Sequence, residues 1–312
     1  MAHNVETMAY NFSNNEKPWH GLGVAVDGLM TSEDAIVKAG LDWSVEKRVV
    51  YQGLPDGTQL EIDNQFALVR NTDHKVLGMG TGRYTPIQNK DAFEFFDTIV
   101  EAKEAMFETA GSLREGEIVW MLAKMPTYMQ VGHGDVVENF VLLSNGHNGK
   151  QSIQLALTPI RVVCNNTLNW ALKGNKNKVN IRHTTNARAN MMIASESMGI
   201  IKKQAVKIEE LYAEMFKKQL TSESMDAYFK AVVGESTQAE NTIMEINRLV
   251  EVGAGTDLKG VRGSLWGAYN AVTEYYDHYK NYQERTNKLE AIWLGSGATS
   301  KEKAFEKAVV LL

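Results

Sequence analysis

Between Trp43 and Arg83 the chain alternates apolar and polar residues in short runs, WSVEKRVVYQ, NQFALVR and VLGMGTGRY, separated by GLPDG and NTDHK. A period of two, interrupted by Asn, Asp, Gly and Pro, suits strands whose successive side chains face opposite ways and whose turns need special backbone angles. The segment predicts an antiparallel meander and excludes an all-helical fold. Two further strand pairs are expected downstream. MFETAGSLREGEIVWMLAKM (106–125) turns near Arg114 to Gly116, and ENFVLLSNGHNGKQSIQLAL (138–157) turns at Asn145 to Gly149.

Helical spacing appears between and after these strands. Ala92, Phe93, Phe96, Ile99 and Val100 make one face of a helix over 89–104, with Asn89 as its N-cap. Thr158-Pro159 reads as a cap followed by a first-turn proline, so a helix is expected over 160–173, with Ile160, Val163, Cys164, Thr167, Leu168 and Leu172 on its apolar face. From Asn186, Met191, Ala194, Met198, Ile201, Ala205, Ile208, Tyr212 and Met215 recur at heptad spacing. A long helix packed on its own body is the preferred reading over an inter-subunit coiled coil, because Ala and Met make a soft seam. Shorter helices are expected near 222–233, 237–252, 263–280 and 300–311. The fold class is therefore α+β: a β-meander and hairpins with a packed helix, then a mostly helical C-terminal half. Residues 1–185 are expected to form the α+β core with a basic helix and loop, and 186–312 a helical region packed on that core.

Several chemistries find little support. Gly78, Gly80 and Gly82 do not complete a dinucleotide fingerprint and no phosphate-loop motif occurs, so these glycines read as a bulge or a close approach. The seven histidines show no metal-ligand spacing, and Asp277-His278 point to different sides of a helix. Cys164 falls on an apolar face and reads as core rather than nucleophile. No metal and no cofactor are expected. A metal-dependent enzyme on nucleic acid would need carboxylates such as Asp73, Asp91 or Asp97 to converge. One cysteine and no apolar stretch of membrane-spanning length point to a cytoplasmic protein without a membrane partner.

Charge is distributed unevenly. Residues 1–149 hold 11 Lys and Arg against 21 Asp and Glu, residues 150–195 hold 7 against none, and residues 196–312 hold 15 against 17, so differences of −10, +7 and −2 return the net −5. In the expected helix, Arg161, Asn165 and Asn169 share a polar face with Asn166 and Lys173 beside them, and Lys176, Lys178, Arg182, His183 and Arg188 continue the positive surface through a loop. Such residues contact phosphate by charge and sugar or base edges by hydrogen bonds. Single strands also stack on aromatic rings, for which Trp170, Tyr84 and His183 are candidates, with Arg83 beside Tyr84. The competing accounts are a solvated basic face and a contact with the acidic part of a second copy.

KPWHGLG (17–23), RYTPIQN (83–89) followed by AFEFFD, LTPIRVVCNNTL (157–168) and WGAYNAVTEYYDH (266–278) resemble the phage/plasmid-like family of unknown function, domain of unknown function 932. The resemblance implies a context of mobile DNA in a bacterial host. The order of strands, helix, strand pairs and capping helix is also similar, at the level of fold, to single-strand annealing proteins of the Red-beta, RecT and Erf type. That likeness implies a ring or filament of identical subunits that binds single-stranded DNA, or RNA, without ATP. The expected function is single-strand binding and annealing in recombination or replication, by a protein that is not an enzyme. The alternative is an interaction protein that binds a host or phage factor through its helical half, where EYYDHYKNY (274–282) supplies contact-prone tyrosines.

Overall fold

The alternating runs do become strands and the helically spaced ones mostly helices. In the computed structural model the described residues are 5–11, 24–26, 31–100, 106–161, 166–167, 171–172, 175–176, 178–187, 190, 206–282 and 288–312. The first half runs β1 (Val5–Asn11), β2 (Val24–Val26), α1 (Ser32–Lys38), β3 (Val45–Gly53), β4 (Gln59–Arg70), β5 (Val76–Thr81), α2 (Asn89–Val100), β6 (Met106–Leu113), β7 (Ile118–Gln130) and β8 (Val136–Gly146). It continues through β9 (Ile153–Arg161), β10 (Asn166–Thr167), β11 (Ala171–Leu172), β12 (Asn175–Lys176) and β13 (Lys178–Ile181). The helices that follow are α3 (206–217), α4 (Ser222–Val233), α5 (Thr237–Val252), α6 (Leu265–Glu274), a π-helical turn (Tyr275–Tyr279), α7 (Lys288–Trp293) and α8 (Ser296–Leu311). The class is α+β, with helices concentrated in the second half.

Two compact units are drawn from interleaved segments rather than consecutive spans. The first comprises Met1–Met125, Val141–Ala156 and Lys178–Gly199, the second Pro126–Phe140, Leu157–Asn177 and Ile200–Leu312. Strands order as β10-β9-β8-β7-β6-β1-β2 in the large sheet, with β13 also on β9, while β3-β4-β5 form a separate three-stranded sheet. In the first unit, Arg70 at the end of β4 ties the meander to β1. Its guanidinium donates to both carboxylate oxygens of Glu6 at 3.0 Å and to Asp73 at 2.9 and 2.7 Å, and it lies 5.4 Å over the Trp43 ring. A buried guanidinium needs this many acceptors, because an unpaired one would cost several kcal/mol. The β6-β7 hairpin turns where expected, with Arg114, Glu115 and Gly116 all at positive φ.

The expected helix over 160–173 does not form. Thr158, Pro159, Ile160 and Arg161 lie in strand β9, and Asn166 and Lys176 lie in the short strands β10 and β12. Ile160, Val162, Val163 and Thr167 are β-branched, a class that fits a pleated surface better than a helix. Pro159 is accommodated because pairing on that side of β9 runs with Ile153–Ala156 and resumes at Ile160, so the residue without an N–H falls between the two registers. Cys164, Asn165, Asn169, Trp170, Lys173 and Arg188 lie outside the described residues.

The second unit is built on hydroxyl-capped helices. Thr221, Ser236 and Ser264 each accept a backbone N–H three residues on, which starts α4, α5 and α6 where Thr or Ser precedes the apolar face. Ile208, Tyr212 and Met215 of α3 are fully buried, so this part of the heptad pattern faces its own core; Met191 through Ala205 lie outside the described residues. Tyr212 packs against Trp266, Tyr269 and Phe305 at 4.8, 6.2 and 5.9 Å. The Trp266 indole donates to buried Asp135 at 2.7 Å.

Asp277, on the π-helical turn, accepts from the Lys301 ammonium at 2.6 Å, and both side chains are sealed from solvent. Burial pulls the Lys301 pKa down, opposed by Asp277. Removing one member takes this ion pair from the other, still-buried charge. Lys301→Met should therefore lower unfolding free energy by about 3–5 kcal/mol in urea titrations, whereas Lys301→Met with Asp277→Leu should lose markedly less. Equal losses would show that packing, not charge, sets the cost.

Candidate nucleic-acid interface

Three segments of the first unit meet around buried amides and imidazoles: RYTPIQN before α2, the Asn145–Gly149 turn after β8, and Arg182-His183 after β13. Asn89, which opens α2, donates from Nδ2 to the Leu41 carbonyl at 2.9 Å. Its Oδ1 therefore faces His147 Nε2 at 2.8 Å as an acceptor. This assigns the proton of His147 to Nε2 and leaves Nδ1 as a lone-pair acceptor. Asn145 Nδ2 donates to the Ile87 carbonyl at 3.0 Å, and the Ile87 N–H donates to His183 Nδ1 at 3.3 Å. His183 consequently carries its proton on Nε2. Its ring stacks on Tyr84 at 4.9 Å and 17°, and the Tyr84 hydroxyl donates to the Gly146 carbonyl at 3.1 Å.

Glycines permit this convergence. A Cβ at Gly78 would collide with the Asn148 backbone, and one at Gly149, which has φ 75°, with the Met79 carbonyl. These are close approaches of the Asn145–Gly149 turn to β5, the role expected of Gly78. Gly80 is likewise covered by Tyr84, whose Cβ would lie 3.1 Å from an added methyl.

The cluster is neutral at physiological pH. Burial lowers His147 to about 3, with His183 adding a smaller repulsion, and burial lowers His183 to about 4. His183 is 5% exposed, so it is no part of a positive surface. That expectation is corrected, because a ring enclosed by Tyr84 and the 85–87 backbone cannot hold a proton without an anion. His147 Nδ1, His183 Nε2 and Asn145 Oδ1 have no hydrogen-bond partner among the described residues. The cluster therefore offers neutral donors and acceptors rather than charge.

Cations sit outside it. Arg83, Lys150 and Arg182 are exposed and Lys178 is half-buried. Lys178↔Ala156 and Ile181↔Ile153 pair β13 with β9, which turns Ile181 into the core and leaves Asn180 in solvent. Among the described residues none of these four cations has an ion pair, whereas Arg48, Arg70, Lys75, Lys90 and Arg114 of the same unit all do. Three of the four, Lys150, Lys178 and Arg182, lie in the acid-free stretch, which supplies no local carboxylate. Arg161, Asn166 and Lys176 are placed by backbone in the strands of the second unit. Sequence reasoning missed His147, Asn145 and Asn89; the SNGHNG turn was read only as a turn, although a histidine flanked by asparagines was the available signal.

Other candidates are not brought together. Among the described residues no three His, Cys, Asp or Glu side chains could hold a metal ion. Asp73 is engaged by Arg70, and Asp97 by the Ser32 hydroxyl. In EYYDHYKNY, Tyr276 and Asp277 are buried, and exposed Tyr279 lies 5.3 Å beneath Arg248. Among the described residues no helix is long and apolar enough to cross a membrane.

The profile of a domain of unknown function, DUF932, matches residues 76–293. The chain belongs to the DUF932 family. The DUF932 span begins at the first residue of β5 and includes all three segments of the cluster and the whole acid-free stretch. No curated protein and no solved structure matches the chain.

Both histidines bind a proton more readily unfolded than folded, so stability is full above about pH 6.5 and falls as pH drops toward 4. Each should contribute a slope of about 1.4 kcal/mol per pH unit in that window. Urea midpoints measured across pH 4 to 7 should show the slope reduced by about one proton in His147→Gln. An unchanged slope would mean that His147 titrates normally.

Proposed function

We propose that this DUF932 protein binds single-stranded nucleic acid along its acid-free strands and promotes annealing of complementary strands without ATP, in the recombination or replication of a phage or plasmid. The observation that carries the reading is the group Lys150, Lys178 and Arg182 in the acid-free stretch, with Arg83 beside Tyr84, none of which has an ion pair among the described residues, whereas Arg48, Arg70, Lys75, Lys90 and Arg114 of the same unit each have one. Phosphate contacts release condensed counter-ions, so unpaired cations gain most from a polyanion. Arg83 and Arg182 directly precede in sequence the half-buried Tyr84 and the buried His183, whose rings stack at 4.9 Å. Arg161, Lys173, Lys176 and Arg188 belong to the same acid-free stretch of the sequence. The mobile-DNA context is proposed from the motif resemblance alone, carried by RYTPIQN, LTPIRVVCNNTL and WGAYNAVTEYYDH.

Annealing needs strands held extended with bases free to pair, which phosphate contacts alone allow. Anisotropy of a labelled single-stranded oligonucleotide should rise with protein at low salt. The logarithm of affinity should fall with the logarithm of salt by about 0.7 per phosphate contacted. Lys178→Glu with Arg182→Glu should weaken binding and cut that slope by at least about 1.4, two contacts' worth. Absence of binding at low salt would defeat the proposal.

A further inference from the structure

The β3-β4 hairpin carries an arm that its own unit leaves uncovered. Every residue from Tyr51 to Asn64 is exposed except Leu54. The arm is nonetheless a formed ribbon. Tyr51↔Glu61, Gln52↔Leu60 and Gly53↔Gln59 are in register. Its turn is closed by Leu54 N–H to the Thr58 carbonyl at 2.8 Å, Gly57 N–H to Leu54 at 3.0 Å and Thr58 N–H to the Asp56 carboxylate at 2.9 Å. Alternation puts Leu60 and Ile62, 51% and 39% exposed, on one face and Tyr51, Glu61 and Asp63 on the other. A two-stranded ribbon with both faces in water is only marginally stable by itself.

Charge and edge geometry identify the occupant. From Val49 to Val69 there is no Lys, Arg or His, but there are Asp56, Glu61 and Asp63, a net −3. None of these three has an ion pair among the described residues. A surface of this sign repels phosphate and calls for cations. Lys150, Lys178 and Arg182 around β13 are the complement, equally unpaired, in a stretch without a single acid. Among the described residues both strands concerned are terminal in their sheets: β3 is paired by β4 alone and β13 by β9 alone. Terminal strands present unsatisfied backbone groups that a second chain can pair.

We infer that the hairpin arm of one copy docks on the acid-free edge of a second copy of this chain. The two surfaces differ, so the contact is heterologous and repeats from copy to copy, closing into a ring or continuing as a filament. It also regulates the proposed site: arm and single strand require the same cations, so a strand displaces the arm. Only this last consequence rests on the DNA-binding reading.

Sedimentation velocity of the full chain tests the contact. Glu61→Lys with Asp63→Lys takes the arm from −3 to +1 and leaves the Asp56 turn intact; Lys178→Glu with Arg182→Glu reverses the edge. Wild type should form assemblies at low salt that dissociate at high salt, each double variant should sediment as a monomer, and an equimolar mixture of the two should reassemble, since reversed arm meets reversed edge. Circular dichroism of each variant checks folding. A monomeric wild type at low salt, or folded variants that fail to complement, would overturn the inference. Oligonucleotide added to wild type should release monomers. Assembly that persists with no oligonucleotide bound would retain the arm contact and remove the DNA-binding reading.

Discussion

The hydrogen bond from His147 Nε2 to Asn89 Oδ1, 2.8 Å long and buried, joins the turn after β8 to the start of α2. It exists because Asn89 spends its amide hydrogens on the Leu41 carbonyl, which orients the carbonyl oxygen inward and selects one imidazole tautomer. Ile87 then bridges the remaining groups, its carbonyl taking the Asn145 amide and its N–H meeting His183. Three stretches far apart in sequence are held by uncharged groups. A charged residue at any of these positions would face a desolvation cost that no neighbour offsets.

Neutrality inside has a consequence outside. Because the cluster uses amides and imidazoles, the cations next to it in sequence, Arg83, Lys150 and Arg182, are not drawn inward to satisfy it and stay in solvent. Arg70, in the same unit, illustrates the opposite arrangement. Its guanidinium is taken up by Glu6 and Asp73 and has become part of the framework. Carboxylate supply decides which cation is structural and which is available, and between Lys150 and Ser195 that supply is nil. In the second unit Lys301 follows the Arg70 pattern, sealed against Asp277 on a π-helical turn.

The acidic hairpin arm and the basic edge are two halves of one charge asymmetry. Either alone would be an ordinary solvated surface. Together, with both strands terminal in their sheets among the described residues, they describe a contact that a chain can make with its own copies. The arm precedes the DUF932 span, whereas the edge lies within it.

Alternation between Trp43 and Arg83, the two hairpins, α2 and the capped helices α4 and α5 were legible in sequence, because strand and helix periods and hydroxyl caps are local properties. The charge anomaly was legible too, since it is a count. What sequence could not decide was the state of residues 158–173, where apolar residues fit a helical face and a strand about equally. Tertiary structure settled the described part, because β9 pairs with β13 over Ile153–Ala156 and with β10 from Ile160, which leaves Pro159 between the two registers. The neutral histidine cluster was invisible for the same reason: His147, His183 and Asn89 are far apart in the chain, and a histidine's charge is set by burial and by the partner on its other nitrogen. Only the fold determines those.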